Sequence, residues 1–213
     1  MKVAIIDYGS GNLRSVAKSF ERAAELSGLD AEILVTGKAD DVATADRIVL
    51  PGVGAFADCR SGLESVDGLH EALNEVVLQK ARPFFGICVG MQLMADVGHE
   101  FGDTKGLGWV PGDVVALKPA DKKLKIPHMG WNELQLVGEH ALFAGIEPGA
   151  HAYFVHSYHF VPKRREDVWA EVEYGGAVTA AIGHGNIFGT QFHPEKSQAV
   201  GLRIISNFLK WAP

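Results

Sequence analysis

Two short stretches of this sequence hold residues able to carry nucleophilic chemistry. The first is Gly86-Ile87-Cys88-Val89-Gly90-Met91-Gln92, which follows the apolar residues Phe84 and Phe85 and opens onto a helical pattern at 91–94. A nucleophile at such a strand-to-helix elbow sits on a strained turn, with its side chain exposed above the sheet edge. Gly86 and Gly90 leave the room that a Cβ would take from so tight a turn. The start of the following helix favours the thiolate, the form that attacks carbonyls. The Val89 N–H points toward the same space and is placed to bind an oxyanion. On its own the stretch fits a buried structural cysteine equally well.

The second stretch is Gln191-Phe192-His193-Pro194-Glu195. A thiol nucleophile gains from a base, and the base gains from a carboxylate that fixes its tautomer. Pro194 biases His193 toward an extended backbone. Residues i and i+2 of an extended segment project to one side, so Glu195 is expected to reach the far nitrogen of His193. Base assistance of this kind is worth roughly 10²–10⁴-fold. Alone, His-Pro-Glu is better read as a surface turn; with the cysteine elbow, each after an apolar strand, catalysis becomes the stronger reading. A third stretch, Pro51-Gly52-Val53-Gly54, follows the apolar run 47–50. Its glycines let the backbone approach a ligand and present N–H groups to a developing negative charge, each such donor being worth about 3–4 kcal/mol of barrier. It would pass for an ordinary loop but for its place at the carboxyl edge of the inferred sheet, where α/β ligands bind.

The elements that must position these stretches follow from hydrophobic periodicity. Residues 2–6, 31–35, 47–50 and 83–87 read as short buried strands, the first closed by the turn Gly9-Ser10-Gly11. Between them, Leu13, Val16, Ala17, Phe20 and Ala24 recur at helical spacing, and residues 70–80 form a second amphipathic segment. Strands alternating with helices indicate an α/β domain with a mostly parallel central sheet flanked by helices. The second half is β-rich at 114–118, 152–155, 168–174, 178–183 and 187–192, with turns such as Gly175-Gly176, so antiparallel strands joined by tight turns are expected there. Residues 198–210 read as a closing helix.

Composition bounds the rest. At 213 residues, with no repeat or linker-like tract, one domain over 1–213 is expected. A net charge of −6 without a basic stripe argues against nucleic-acid binding. Two cysteines make no disulfide framework and fit a reduced, cytoplasmic compartment. Residues 3–6 are too short for a signal peptide, and no run approaches the ~20 apolar residues of a membrane span. Gly9-Ser10-Gly11 lacks the third glycine of a dinucleotide fingerprint, since position 14 is Arg. His156 and His159 lack the further ligands of a metal site, and neither metal nor cofactor is expected. Cys59 reads as a helical spectator without a partner, Met91 and Met94 as helix packing, 163–165 as a solvated turn, and 127–132 as loop-like, with Trp131 exposed for docking.

In order along the chain, Pro51–Gly54, Gly86–Gln92 and Phe192-His193-Pro194-Glu195 resemble the triad-type (class I) glutamine amidotransferases. The stretches 7–13, 127–132 (Pro-His-Met-Gly-Trp-Asn) and 153–158 (Tyr-Phe-Val-His-Ser-Tyr) are similar, more narrowly, to the glutaminase subunits of imidazole glycerol phosphate synthase, and the likeness runs over essentially the whole chain. The resemblance implies that Cys88 attacks the glutamine amide, His193 shuttles the proton, Glu195 orients His193, and water releases glutamate from the thioester. It implies that Gly52, Gly54, Gln92 and the segment His156, Ser157, Tyr158 hold glutamine, with Glu100 a candidate for its amino group. It further implies that ammonia passes to a (β/α)8-barrel cyclase in a heterodimer, with Asn12, Met129, Trp131, Tyr153 and Lys196 at the interface. The product acceptor would be a phosphoribulosyl-formimino aminoimidazole carboxamide ribonucleotide, giving imidazole glycerol phosphate and AICAR. In this family the Gly52-Val53-Gly54 loop must reorient a peptide N–H to complete the oxyanion hole, so the isolated chain is expected to be nearly inactive. Two other readings stand beside this one. The same chemistry could serve another acceptor synthase, against which Met91 and 127–132 argue by resemblance; or the chain could be a silent docking subunit, against which the intact Cys88, His193 and Glu195 argue.

Overall fold

The computed structural model describes residues 1–213. Short apolar runs and amphipathic segments alternate through the first half as β1 (Lys2–Ile6), α1 (Leu13–Leu26), β2 (Glu32–Thr36), α2 (Ala39–Ala43), β3 (Arg47–Gly52), α3 (Phe56–Ser65), α4 (Leu69–Asn74), β4 (Phe84–Cys88) and α5 (Val89–Gln92). A π-helical turn at Glu75–Gln79 extends α4, and together they cover the amphipathic segment read at 70–80. The second half is mostly strand: β5 (Val97–Gly98), β6 (Thr104–Lys105), β7 (Gly112–Ala116), β8 (His128–Glu133), β9 (Gln135–Leu136), β10 (His151–His156), β11 (Tyr158–Pro162), β12 (Val168–Glu173), β13 (Ala177–His184) and β14 (Ile187–Thr190), closed by α6 (Gln198–Lys210).

The central sheet has eight strands in the order β2-β1-β3-β4-β14-β13-β12-β9. Strands β2, β1, β3, β4 and β14 run parallel, and β13, β12 and β9 add on antiparallel. The continuous apolar runs of β1 and β4 are explained by burial on both faces, as in any covered parallel sheet. Alternation sends Phe85 and Phe84 to opposite sides. Phe85 packs against Phe208 of α6 (ring centroids 5.2 Å), which also meets Phe20 of α1, while Phe84 meets Trp109 edge-on at 5.0 Å. No helix is long and apolar enough to cross a membrane.

Three expectations are corrected. Tight turns join only β12 to β13 and β13 to β14 in the antiparallel part of the large sheet; β7 instead pairs with β11, and β8 with β10. The segment 127–132 is not a loop, since His128–Glu133 forms β8 with Trp131 opposite Tyr153. His, Gly and Asn on its inward face hid the alternation, while Met129 and Trp131 point outward. The helix after Cys88 is a single short turn, Val89–Gln92.

Packing under that turn leaves no room for a side chain. A Cβ on Gly90 would stand 1.8 Å from the Leu50 carbonyl oxygen of β3. Gly90→Ala should therefore destabilise the protein by about 3 kcal/mol or more, read as a lowered thermal midpoint; an unchanged midpoint would contradict this packing.

Candidate active site

Parallel register brings distant segments to one point on the carboxyl edge of the sheet. Gly52, ending β3, pairs with Cys88, ending β4. Thr190 of β14 pairs with Ile87, so the chain of Gln191 and His193 leaves the sheet beside the cysteine. Cys88 takes φ 55° and ψ −112°, a conformation L-residues rarely adopt, and is 4 % exposed. Strain of this kind costs about 1–3 kcal/mol and persists only where the surroundings over-determine it.

His193 is pinned at its backbone: its N–H donates to Tyr153 O (3.0 Å) and its carbonyl accepts from Ser197 Oγ (2.7 Å). Its Nδ1 lies 2.9 Å from Glu195 Oε1, with the Glu195 side chain 1 % exposed. The contact expected between them is present, but its route differs. Residues Pro194–Lys196 form a 3-10 turn rather than an extended segment, and that turn swings Glu195 back onto the ring. A carboxylate at Nδ1 makes that nitrogen the donor and leaves Nε2, on the Cys88 side, to exchange protons. Burial pushes the His193 pKa down, but hydrogen bonds and charge from Cys88 and Glu195 outweigh it and raise it to about 10.

Beside the pair opens a cavity of about 330 Å³, a size that takes a small molecule. Among the residues singled out from the sequence, Val53, Gly54, Cys88, Val89, Gln92, Glu100, His156, Ser157, Tyr158, His193 and Lys196 all line it. Gly52 lies just behind, where a Cβ would stand 2.8 Å from the Gly90 nitrogen. A cysteine on a strained elbow, a histidine backed by a buried carboxylate and a pocket before them can support acyl transfer through a thioester.

A family model described as glutamine amidotransferase class-I matches residues 4–211. The imidazole glycerol phosphate synthase subunit HisH of Rhodospirillum rubrum is 64% identical, the match covering 100% of both chains. This chain belongs to the class-I glutamine amidotransferases, among the HisH subunits. The HisH subunit of Rhizobium meliloti is 62% identical, again over 100% of both chains. A solved structure of a glutamine amidotransferase shares the fold, with a TM-score of 0.71 at 17% identity over 98% of this chain and 97% of that one.

Within this amidotransferase, several of the singled-out side chains make contacts that spacing alone does not show. Gln92 lines the cavity, but its amide nitrogen is committed to Tyr158 O (3.0 Å) and Gln191 Oε1 (2.9 Å), which leaves Oε1 to face a ligand. Glu100 lines the cavity too, and its Oε2 accepts from the Phe56 N–H (2.8 Å) at the start of α3. Met129 (66 % exposed), Trp131, Tyr153 and Lys196 form one outer patch. Trp131 meets Tyr153 edge-on at 5.9 Å, and the Lys196 ammonium lies 5.7 Å over the same ring. Asn12 stands apart from them, at the entry to α1.

The residues missed by sequence reasoning hold the glycine loop. Val53 N–H donates to Ser10 Oγ (3.1 Å), and Ser10 Oγ donates back to Val53 O (2.6 Å). Cys59, read as a spectator, instead has its Sγ 3.3 Å from both Val53 O and Ser10 Oγ. Burial pushes its thiol pKa up, so it acts as a neutral donor. Tyr8 hydroxyl donates to Pro51 O (2.8 Å). The loop read as flexible is tied on one side by three side chains. Ser10 and Tyr8 fell inside a stretch singled out from the sequence; the available signal was a hydroxyl beside a turn that meets the strand β3.

Because Glu195 raises the His193 pKa, Glu195→Gln should lower it from about 10 by about one to three units. The His193 ring resonances, followed by NMR against pH, give the value directly. A pKa unchanged in the variant would remove Glu195 from the charge balance of the site.

Proposed function

We propose that this chain hydrolyses glutamine at Cys88 and delivers the ammonia to a cyclase partner of imidazole glycerol phosphate synthase. The observation that carries the reading is His193 held between buried Glu195 and Cys88 at the wall of a cavity of substrate size. The Cys88 sulfur attacks the side-chain amide carbon, and the oxygen takes the charge against the Val89 N–H. Imidazolium at His193 gives its proton to the departing nitrogen, so ammonia leaves and a thioester remains. Water, deprotonated by His193, then adds to the thioester carbon; the C–S bond breaks toward sulfur, and glutamate is released.

A second oxyanion donor is supplied by the glycine loop. In the resting chain the Val53 N–H is spent on Ser10, which supports a low basal activity until the loop reorients. The patch of Met129, Trp131, Tyr153 and Lys196 supports docking of the partner, a (β/α)8 barrel in a cytoplasmic heterodimer, with the chain acting as one domain over 1–213. Ammonia in water near neutral pH is mostly protonated and loses its nucleophilicity, which favours delivery inside such a complex over release. The relatives' name, imidazole glycerol phosphate synthase, supports an acceptor reaction that yields imidazole glycerol phosphate, and the family resemblance adds AICAR as its second product in histidine biosynthesis.

Glutamate release should be slow from the chain alone and strongly stimulated by the cyclase with its nucleotide ligand. Cys88→Ala should abolish glutamine-dependent turnover of the complex while sparing its use of added ammonia; retained glutamine-dependent turnover would exclude Cys88 as nucleophile. Ser10→Ala, which frees the Val53 N–H, should raise glutamate release by the isolated chain roughly fivefold, the worth of one hydrogen bond. A basal rate equal to or below that of the unaltered chain would contradict the clasp.

A further inference from the structure

We infer that Gln191 is a further catalytic residue: its side-chain amide donates a hydrogen bond to the Cys88 sulfur and stabilises the thiolate, with its orientation set through Gln92 by the Tyr158 carbonyl. The inference deepens the glutaminase reading above and rests on it. Gln191 directly follows β14, whose last pairing, Thr190 with Ile87, sets it next to Cys88. Its backbone N–H donates to Ala180 O (2.9 Å), and its side chain is fully buried. The Nε2 atom lies 3.7 Å from Sγ, within the range of a hydrogen bond to sulfur.

Which end of this amide faces the sulfur is decided two links away. A backbone carbonyl only accepts, so the end of Gln92 that lies 3.0 Å from Tyr158 O is its NH₂. That same nitrogen lies 2.9 Å from the Gln191 amide, which must therefore present its oxygen there. The Gln191 nitrogen is left turned to Cys88. Reversing either amide would set donor against donor or acceptor against acceptor in a place where neither glutamine is more than 4 % exposed, leaving buried polar groups unsatisfied. Tyr158 O also receives the Nδ1–H of His156 (2.9 Å), so it is a fixed point of the site and not a mobile end.

A donor facing sulfur favours the charged form over the thiol. His193 changes its protonation through turnover, giving its proton to the leaving ammonia and regaining one from the attacking water, so its contact with sulfur is remade at each half-reaction. Gln191 has no proton to lose. It therefore stabilises the sulfur twice: as the attacking thiolate, and again as the leaving group when the C–S electron pair returns to sulfur during hydrolysis of the thioester.

The test is the pH dependence of Cys88 alkylation by iodoacetamide in the full chain, resolved from Cys59 by peptide mass spectrometry. Gln191→Met keeps the bulk and removes the donor; Gln191→Glu sets an acceptor against the sulfur. The alkylation midpoint should rise by about one pH unit in Gln191→Met, a tenfold loss of thiolate at a given pH, and further in Gln191→Glu. The kcat/KM for glutamine in the complex should fall about tenfold in parallel. Gln92→Met, which releases the Gln191 amide without touching it, should move the midpoint the same way by less, and it serves as the reading if the Gln191 variants do not fold. A midpoint equal to that of the unaltered chain in the folded variants would make the amide pair a packing feature only and overturn the inference. Alkylation needs no glutamine turnover, so an unaltered complex that releases no glutamate would count against the glutaminase reading alone.

Discussion

The backbone of Cys88 is held at φ 55° and ψ −112°, and the site depends on that one conformation. A residue so placed relaxes unless both its neighbours in the sheet and the turn beyond it forbid relaxation. β4 sits between β3 and β14, hydrogen-bonded on both sides, so its last residue cannot swing outward. The turn beyond is clamped because α5 presses Gly90 onto the Leu50 carbonyl and Met91 beneath Gly189, where a Cβ would stand 2.6 Å from the Met91 side chain. Glycines at 86, 90 and 189 are therefore one device. They let three strands and a helix close around a cysteine whose sulfur is forced to the carboxyl edge.

Electrostatics then separates one histidine from the others. His128 and His156 are buried and His140 is half-buried, and loss of solvent lowers their pKa values to about 4, 3 and 4 respectively. His193 is equally enclosed, yet its pKa moves the opposite way because a carboxylate and a thiol face its two nitrogens. His193 is thus shifted opposite to His156, the other histidine lining the cavity. The neutral rings have work of their own. Asn132 Nδ2 lies 3.2 Å from His128 Nε2, His128 Nδ1 lies 3.0 Å from His156 Nε2, and His156 Nδ1 donates to Tyr158 O. Since the carbonyl can only accept, every tautomer in this chain is set. Strand β8 therefore anchors the cavity floor with one face and shows Met129 and Trp131 to solvent with the other.

What the sequence made legible was chemistry bound to local spacing. A cysteine between two glycines after an apolar strand, and a histidine two residues before a glutamate, are demands that a reaction places on neighbouring residues, so they survive as motifs. Even there the means differed, because the 3-10 turn at Pro194–Lys196, not an extended chain, brings Glu195 to His193. The parallel half of the sheet was legible for a similar reason: strands covered on both faces must be apolar throughout. β8 was not, because its inward positions carry His128, Gly130 and Asn132 rather than aliphatic residues. Ser10 and Cys59 were not, because their partner Val53 is brought to them by folding and not by spacing. The role of Gln191 lay deeper still: its residue type was visible, but the direction of its amide is fixed only by a carbonyl on another strand.

The glycine loop is where these constraints meet function. Its inner end, Gly52, is fixed to Cys88 by the sheet register and cannot move without disturbing the nucleophile. Its next residue, Val53, is tied outward at both ends, its N–H to Ser10 and its carbonyl to Ser10 and Cys59. Gly54 takes φ +97° with open space around its Cβ position, and Val53 is half exposed. Val53 thus has a fixed neighbour on one side, a permissive glycine on the other, and side-chain hydrogen bonds that would have to break before it turned. The hydroxyl of Ser10 sits two residues before Asn12, at the entry to α1. The clasp and that entry are two residues apart, and the clasp holds the N–H of Val53, a residue of the cavity wall. A short, stiff connection of this kind is what a glutaminase needs if it is to hydrolyse its substrate only when an acceptor for ammonia is in place.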